Sequence, residues 1–375
     1  TASWMSTTAF ATARMAWGGN FSTIWGAYIY VAGGCTAVNG SGYCTTIAND
    51  IQLASINADG TVTDWNPIIG VTNSRIGYGL VGWRNTLYGI GGCTAQNTST
   101  GACTTTTTNA DYGKINGDSD ASTVSNSVAS GTSPCSGGSP YDCNIPATGA
   151  AYNTAGTGGQ MSEALVVNNG YIYVIGGCRS VSTTAVCYTG TNTAATSGNI
   201  SYSAIAADGT LVSPAVCGAP NTLVGTWCVD NTNVIGTGGT GLAAMGFTIF
   251  NNTIYISGGT DGSGTWTANM YRVGLNTDGS LSGAWTTMNA ASTGISATGA
   301  GYSYMFTRAN PASAGSSPGN LYVVGGCYAT SGVGCSTYLT TVYKCNIGTT
   351  GAVTGCTTTG QQQLDSENGS GGTPA

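Results

Sequence analysis

Short apolar runs that end in a pair of glycines recur along the chain. Five of them share one order of residues, which is YIYVAGGC (28–35), TLYGIGGC (86–93), YIYVIGGC (171–178), TIYISGGT (253–260) and NLYVVGGC (320–327). Aromatic and β-branched residues favour strands, and a run that is apolar throughout is typical of a strand buried on both faces. The glycines permit a positive φ or a close backbone approach. Each run therefore predicts a buried strand followed by a tight loop.

A second pattern follows most of these runs. It reads INADGTVTDW (56–65), IAADGTLVSP (205–214), LNTDGSLSGAW (275–285) and, in a degenerate form, NIGTTGAVTGC (346–356). Asp-Gly between two alternating segments predicts a β-hairpin. Upstream of the glycine pair, as in 74–92 and 246–259, another apolar segment precedes an Asn-containing turn. Each unit is thus predicted to supply four strands.

Four short antiparallel strands in a repeated unit form a propeller blade, which needs neighbours to cover its faces. The order apolar-Tyr-apolar-apolar-Gly-Gly, then a loop, then a late Trp resembles the kelch repeat, over residues 4 to about 356. The sequence departs from that family in its longer units, in keeping the late Trp only at Trp65 and Trp285, and in the Cys that follows most glycine pairs. The resemblance implies an all-β, single β-propeller over 1–356, with 357–375 as a polar tail or linker.

The number of glycine pairs predicts five four-stranded blades. The two longest intervals between pairs hold extra cysteine pairs and no further Gly-Gly signature, so we interpret them as stapled loop insertions. A sixth, degenerate blade is the alternative. The kelch family commonly closes its ring with strands from both chain ends. The resemblance therefore implies that residues 3–8 pair beside 352–358, in the same or an adjacent chain.

The fourteen cysteines fall into seven close pairs, and the chain has no histidine. Cys-only zinc sites favour gaps of about two to four residues, whereas seven to ten residues separate these cysteines. An even count at short spacing indicates disulfides formed in an oxidising compartment. The simplest connectivity joins sequence neighbours, namely Cys35/Cys44, Cys93/Cys103, Cys135/Cys143, Cys178/Cys187, Cys217/Cys228, Cys327/Cys335 and Cys345/Cys356.

Charge is scarce, at 6% of residues with a net charge of −6. Without a basic face no nucleic-acid partner is expected, and no apolar run is long enough for a transmembrane segment. The chain starts at Thr1 and not at Met, which fits a removed leader and an extracellular or cell-surface location. A surface of Ser, Thr, Asn and Gly repels copies of itself only weakly. Candidate glycosylation sequons start at Asn20, Asn39, Asn97, Asn199, Asn251 and Asn368.

The residue types required for catalysis are sparse. The missing histidine excludes His-dependent triads and the copper site of kelch-like galactose oxidases. Glu163 and Glu367 are the only glutamates, and we assign Asp59, Asp208 and Asp278 to Asp-Gly turns. We therefore expect no enzyme activity, no metal and no cofactor.

Three arginines stand at similar distances before their glycine pairs, at Arg14, Arg75 and Arg308. The first strand of a propeller blade lines the central channel, so these guanidinium groups are candidates for binding a carboxylate or sulfate. Sialidases use an arginine cluster on a propeller in this way. The alternative is that each arginine hydrogen-bonds loop carbonyls at the mouth of the channel.

The first hypothesis for function is an extracellular or cell-surface structural protein whose partner is itself, assembled as a filament or sheath. A glycan-binding or adhesion propeller is the alternative, with glycans as partners. A glycosidase-type enzyme comes third, because it would need acidic groups that converge on the channel.

Overall fold

A computed structural model gives the architecture of the chain. It describes residues 8–10, 12–14, 22–40, 43–68, 74–99, 101–107, 110–115, 161, 163–178, 200–230, 232–236, 241–261, 265–293, 295, 303–310, 318–328 and 337–358. The fold is an all-β propeller of five blades, as the repeat predicted. Within these ranges the single helix, α1 (Ala290–Thr293), has four residues.

The strands of the first two blades, with the hairpins inserted in them, are β1 (Ser22–Trp25), β2 (Tyr28–Ala32), β3 (Cys35–Val38), β4 (Cys44–Ile47), β5 (Ile51–Ser55), β6 (Asn66–Ile68), β7 (Gly79–Trp83), β8 (Thr86–Ile90), β9 (Cys93–Gln96), β10 (Cys103–Thr106) and β11 (Ala110–Lys114). Those of the last three blades are β12 (Ala164–Asn168), β13 (Tyr171–Ile175), β14 (Ile200–Ile205), β15 (Leu211–Val212), β16 (Thr222–Val224), β17 (Trp227–Asp230), β18 (Gly246–Phe250), β19 (Thr253–Ser257), β20 (Met270–Gly274), β21 (Thr286–Met288), β22 (Tyr304–Ala309), β23 (Gly319–Val324), β24 (Cys327–Tyr328), β25 (Thr337–Tyr338), β26 (Val342–Ile347) and β27 (Val353–Thr358).

Each blade is one antiparallel sheet. The strand orders are β1-β2-β5-β6, β7-β8-β11, β12-β13-β14-β17-β16, β18-β19-β20-β21 and β22-β23-β26-β27. The described part of blade 2 thus has three strands, and blade 3 has an added outer hairpin, β16–β17, with β15 on β14. This hairpin belongs to the segment that the sequence analysis treated as a stapled loop. It forms strands because Trp227 at its base is fully buried against its own and the neighbouring blade.

The first strand of each blade lies beside the first strand of the next, from β1 through β7, β12 and β18 to β22. The first strands therefore surround the axis, and the later strands lead outward. Each glycine pair ends a second strand. A Cβ on Gly176 would lie 2.2 Å from the carbonyl oxygen of Leu242, and the next glycine, Gly177, donates its N–H to that oxygen at 2.8 Å. The pair allows the chain that leads into blade 4 to pass directly against blade 3.

Four apolar clusters fill the spaces between consecutive blades. They centre on Tyr30, Leu53 and Leu80 between blades 1 and 2, on Tyr88, Ile90 and Val174 between blades 2 and 3, on Tyr173, Ile200 and Ile256 between blades 3 and 4, and on Tyr255, Leu321 and Val323 between blades 4 and 5. Burial of such side chains contributes about 1.5–3 kcal/mol each. Stacking of blades is therefore the main source of stability.

At three junctions the repeated tyrosine of the second strand joins one blade to the next. The hydroxyls of Tyr88, Tyr173 and Tyr255 donate to the carbonyls of Gly209 (2.8 Å), Gly279 (3.0 Å) and Gly351 (3.0 Å), which lie in the third-to-fourth strand turn of the following blade. The tyrosine that makes the kelch-like signature is thus a donor between blades as well as a core side chain.

Disulfides are present at four of the predicted pairs, namely Cys35–Cys44, Cys93–Cys103, Cys217–Cys228 and Cys345–Cys356. Cys178 and Cys327 are also disulfide-bonded. Their predicted partners, Cys187 and Cys335, lie outside the described residues, as do Cys135 and Cys143. The first two bonds staple the hairpins β3–β4 and β9–β10 and pack in one apolar cluster with Ile76, Met161 and Ala243.

A matched pair of glycines tests the interblade turn contact. Gly279 and Gly60 hold the same place in their units and have the same φ of +86°. A Cβ on Gly279 would lie 2.4 Å from the ring of Tyr171 in the preceding blade, whereas nothing lies within 4 Å of one on Gly60. We expect Gly279→Ala to lower the free energy of unfolding by about 1–3 kcal/mol more than Gly60→Ala.

Chemical denaturation of both variants and the parent chain gives this difference. The backbone strain of a positive φ is common to the two variants and cancels. Equal losses of stability would contradict the assigned packing of blade 3 on blade 4.

Candidate functional site

Arg14 and Arg75 occupy equivalent places beside the glycine pairs of blades 1 and 2. Arg14 donates to the carbonyl of Gly33 at 2.9 Å and forms an ion pair with Asp50 at 2.8 Å. Arg75 donates to the carbonyl of Gly91 at 3.3 Å and forms a fully buried ion pair with Asp111. In both cases the acceptor is the first glycine of the blade's own pair. The contact with loop carbonyls, one of the two alternatives drawn from the sequence, is therefore present at these two arginines.

Arg308 lies elsewhere. It is an exposed residue of β22 and faces away from blade 4, because Thr307, its neighbour in the strand, donates to the Ile249 carbonyl of that blade at 3.2 Å. The structure thus brings two of the three candidate arginines to equivalent positions and separates the third. Anion binding at Arg14, Arg75 and Arg308 stays a prediction.

Tyr78 lies between the two ion pairs. The Arg75 guanidinium is 5.8 Å from the centroid of its ring, and a Cβ on Gly33 would lie 3.2 Å from its hydroxyl. Burial raises the pKa of the Tyr78 hydroxyl far above its ordinary value, although the positive charges of Arg75 and Arg14 oppose that rise. Tyr78 is therefore a neutral phenol that packs between the ion pair of blade 1 and that of blade 2.

Glu163 is a buried acidic residue of blade 3 that contacts blade 2. Its residue is 1% exposed, and its Oε1 accepts the backbone N–H of Gly79, in blade 2, at 3.3 Å. Burial raises the pKa of its carboxyl to about 8, against the smaller effects of backbone hydrogen bonds and of Arg75. The carboxyl is therefore mostly protonated at neutral pH, and its Oε2 has no partner among the described residues.

The sequence analysis noted Glu163 only as one of two glutamates. The strand register places it directly before its blade's first strand, where other units carry Tyr78, Met245 and Ser303. The sequence did contain a signal for Glu163, namely an acidic residue at a repeat position where the other units carry an uncharged residue. The buried charges therefore lie on blades 1 to 3, and the equivalent positions of blades 4 and 5 are uncharged.

The assignment of aspartates to turns is confirmed. Asp59, Asp208 and Asp278 each accept the backbone N–H and the hydroxyl of the residue two positions later, at 2.6–3.0 Å. Their carboxylates shape the hairpins and do not converge. In the part of the chain that the structure describes, no group of three Cys, Asp or Glu residues could hold a metal ion.

Three of the six sequons fall on described residues. Asn39 is half-buried, and its side chain accepts from the Tyr43 N–H at 2.9 Å and donates to the Thr98 carbonyl at 2.5 Å. Asn97 and Asn251 are exposed. Asn20, Asn199 and Asn368 lie outside the described residues. Glycosylation stays a prediction at all six.

The junction between blade 5 and blade 1 differs from the other four. Alternate residues of each first strand face the next blade, and Val81, Val166 and Phe250 do so within the clusters described above. The equivalent residues of β22 are Tyr304, Phe306 and Arg308. Tyr304 and Phe306 are 54% and 48% exposed. No apolar cluster joins blade 5 to blade 1 among the described residues.

The blade 1 side of this junction is exposed as well. Ile24, which faces blade 5 from β1, is 62% exposed. Gly60 has nothing within 4 Å of its Cβ position, and Tyr322, the tyrosine that would bond to its carbonyl, stacks on Phe306 with ring centroids 4.7 Å apart. A hydrogen bond between Tyr304 and the Ser22 side chain does cross the gap. We call the surface formed by these residues the open junction.

Thr8 and Phe10 cover the outer part of the blade 1 wall. The Thr8 hydroxyl donates to the Val62 carbonyl at 3.0 Å, and the backbone carbonyl of Thr8 accepts from the Trp65 indole N–H at 3.0 Å. The Phe10 and Trp65 ring centroids are 4.4 Å apart. Thr8 is the one described member of residues 3–8, and it contacts blade 1. Pairing of that segment with 352–358 stays a prediction. β27 extends to Thr358, and the rest of the predicted tail lies outside the described residues.

No protein-family model matches this sequence, and a comparison with curated proteins finds no significant match. Among the described residues no helix is long and apolar enough to cross a membrane. The structure itself therefore gives the classification, which is a five-bladed β-propeller with disulfide-stapled hairpins.

Glu163 makes stability depend on pH in a specific direction. Because its pKa is about 8 in the folded state and 4.5 as a reference value, the unfolded chain loses this proton first as the pH rises. The free energy of unfolding therefore falls between about pH 4.5 and 8, by an amount on the order of 5 kcal/mol at about 1.4 kcal/mol per pKa unit. Gln resembles the protonated acid and removes this dependence.

We expect Glu163→Gln to match the parent chain near pH 4.5 and to exceed its stability increasingly up to pH 8. Asp50→Asn is the control of opposite sign. Burial would raise the pKa of Asp50, but the hydrogen bond and charge of Arg14 outweigh it and lower that pKa. The loss of stability in Asp50→Asn should therefore be present at neutral pH and fade in acid. Denaturation at a series of pH values measures both variants, and a pH-independent effect of Glu163→Gln would contradict the assignment.

Proposed function

We propose that this protein is an extracellular or cell-surface structural propeller of the kelch-repeat type that associates with copies of itself. The observation that carries the proposal is the open junction. Large exposed apolar patches are rare on proteins that act as monomers and mark interaction sites. Here Ile24, Tyr304 and Phe306 occupy positions that face a neighbouring blade everywhere else in the ring.

Low charge supports the same proposal. A net charge of −6 on 375 residues, with 6% of residues charged, leaves little electrostatic repulsion between copies. In the described hairpins the Thr hydroxyls are turned to backbone carbonyls, as with Thr36 on Thr46 (3.3 Å) and Thr94 on Thr105 (3.2 Å). Such a surface is polar but carries no charge, and it permits close packing of copies.

Disulfides support an extracellular location. The bonds in the described hairpins close short loops, and each is worth roughly 2–4 kcal/mol in the chain-entropy view. Structural disulfides persist in oxidising compartments and are rare in reducing ones. The kelch assignment is supported by the tyrosine and glycine pair that recur at matching positions in the blades.

The proposal includes no catalytic role and no cofactor. It is supported by the internal use of the acidic groups, since Asp50 and Asp111 pair with arginines and the turn aspartates cap hairpins. Arg14 and Arg75 likewise contact protein groups.

Self-association is tested on the purified, oxidised chain. We expect sedimentation velocity to show species larger than the monomer, whose share rises with protein concentration, and negative-stain microscopy to show elongated assemblies. Because the patch is mainly apolar, added salt should not dissolve them. Monodisperse single propellers at the highest attainable concentration would overturn the proposal.

Glycan binding is the second candidate, and one observation favours it. The Phe306 and Tyr322 rings are nearly parallel, at 9°, and Phe306 is about half exposed beside the exposed Arg308. A flat aromatic face next to a donor is a surface on which a sugar ring can stack. This candidate predicts that the chain binds members of a glycan array and that Phe306→Ala loses at least tenfold in affinity. An array without hits would remove it.

A further inference from the structure

A second exposed apolar patch lies on blade 3. Val212, Val216 and Leu223 are 39%, 50% and 49% exposed; Val212 is on β15, Val216 follows that strand, and Leu223 is on the added hairpin. Leu223 is on β16, the outermost strand of the sheet, and Cys217–Cys228 ties the segment to β17. We call this patch the blade 3 rim. The hairpin that carries it is fixed, because Trp227 at its base is fully buried.

The two patches lie on opposite sides of the ring. With five blades in order around an axis, the junction of blades 5 and 1 is directly across from blade 3. Together they contain six of the seven exposed large hydrophobic residues in the described ranges, and the seventh is Val38 on the β3 hairpin. The exposed apolar surface is thus concentrated at two ends of one diameter.

Their chemistry is complementary. The wall of the open junction carries Arg308 and, across Tyr322 in β26, the exposed Lys344. Blade 3 from residue 200 to 230 contains no basic residue, and its exposed acidic residue is Asp208, since Asp230 is buried at 3% exposure. Two of the eight basic residues of an acidic chain therefore stand on one patch, and none on the other. A contact between unlike patches is favoured by this arrangement, and a contact of the junction with itself is disfavoured by like charge.

We propose that the blade 3 rim of one copy docks in the open junction of the next, so that copies assemble head to tail. This inference rests on the proposed self-association and names its interface. A contact between two different patches is heterologous, and it builds an open chain when the rotation between successive copies does not close a ring. Patches on opposite sides of the propeller favour the open chain. The product is an open chain of propellers, with one free junction and one free rim at its ends.

Two charge substitutions test the pairing, with a third as control. Phe306→Asp alters the junction, Leu223→Asp alters the rim, and Val38→Asp places the same charge on an exposed apolar residue outside both. An aspartate in an apolar contact must lose its hydration. We therefore expect each of the first two variants to raise the concentration needed for assembly by more than about 100-fold, and the control to leave it unchanged.

Mixing the two blocked variants gives the decisive measurement. Phe306→Asp keeps an intact rim and Leu223→Asp keeps an intact junction, so one productive contact remains between them. We expect the equimolar mixture to form heterodimers and nothing longer, and each variant alone to stay monomeric. Light scattering with chromatography, using one variant with a cleavable mass tag, identifies the composition.

Other results overturn the inference in distinguishable ways. Assembly of both variants at the parent's concentration would reject this interface and leave self-association standing, whereas a parent chain that never assembles would reject the proposed function itself. Head-to-tail pairing would be rejected if only one of the two substitutions prevented assembly. It would also be rejected if both prevented assembly but the mixed variants formed no heterodimer. If the chain's own residues fill the junction, Phe306→Asp will lower the melting temperature and leave assembly intact, which also rejects it.

Each variant is first checked for folding. Both residues are about half exposed, so the substitutions should leave the melting temperature and the disulfide content unchanged. Should either aspartate variant unfold, Phe306→Ser and Leu223→Ser remove the apolar contact without adding charge. The same mixing scheme applies to them, with a smaller expected shift of about tenfold.

Discussion

Every blade of this protein depends on the covering of one sheet by the next. A blade is apolar on both faces, and a single sheet cannot bury two faces by itself. The second-strand tyrosine serves this requirement twice, because its ring fills the space between blades and its hydroxyl donates to the turn of the following blade. Burial raises the pKa of the Tyr173 hydroxyl far above its ordinary value. The donor therefore keeps its proton at neutral pH and well above it.

A ring made from repeats in one chain has a special junction, where the last unit meets the first. At every other junction the chain runs from one blade directly into the next, so the two walls belong to consecutive units. The walls of the open junction are joined only through the rest of the ring, so their contact must come from side chains alone. Ile24 and Phe306 show the consequence, since they occupy packing positions and yet remain about half exposed or more. The surface of Ile24 and Phe306 corresponds to surfaces that are covered at the other junctions, and here it is exposed to solvent.

The sequence predicted the features that local patterns determine. Strands ending in Gly-Gly, Asp-Gly hairpins and neighbouring disulfides follow from residues close in the chain, and they are confirmed at Tyr173, Asp208 and Cys35, among others. Features set by distant contacts were missed. The outer hairpin of blade 3 follows from the burial of Trp227, and the raised pKa of Glu163 follows from the burial of its carboxyl. The exposure of Phe306 was equally invisible, because its strand has the same pattern as strands that are covered.

Scarcity of charge makes the placement of apolar surface decisive. Proteins with many charges reject wrong partners by unpaired or like charges at the contact. This chain has 22 charged residues in 375, and several of them are paired inside the fold, as Arg75 and Asp111 are. With so few charges, the distribution of exposed apolar surface decides which contacts with another copy are favourable. With four closed junctions, the exposed large hydrophobic side chains of the described chain lie at the open junction and the blade 3 rim, apart from Val38. In the proposed assembly, selectivity between copies comes from the small number of surfaces that can pair, and the energy of pairing comes from burying them.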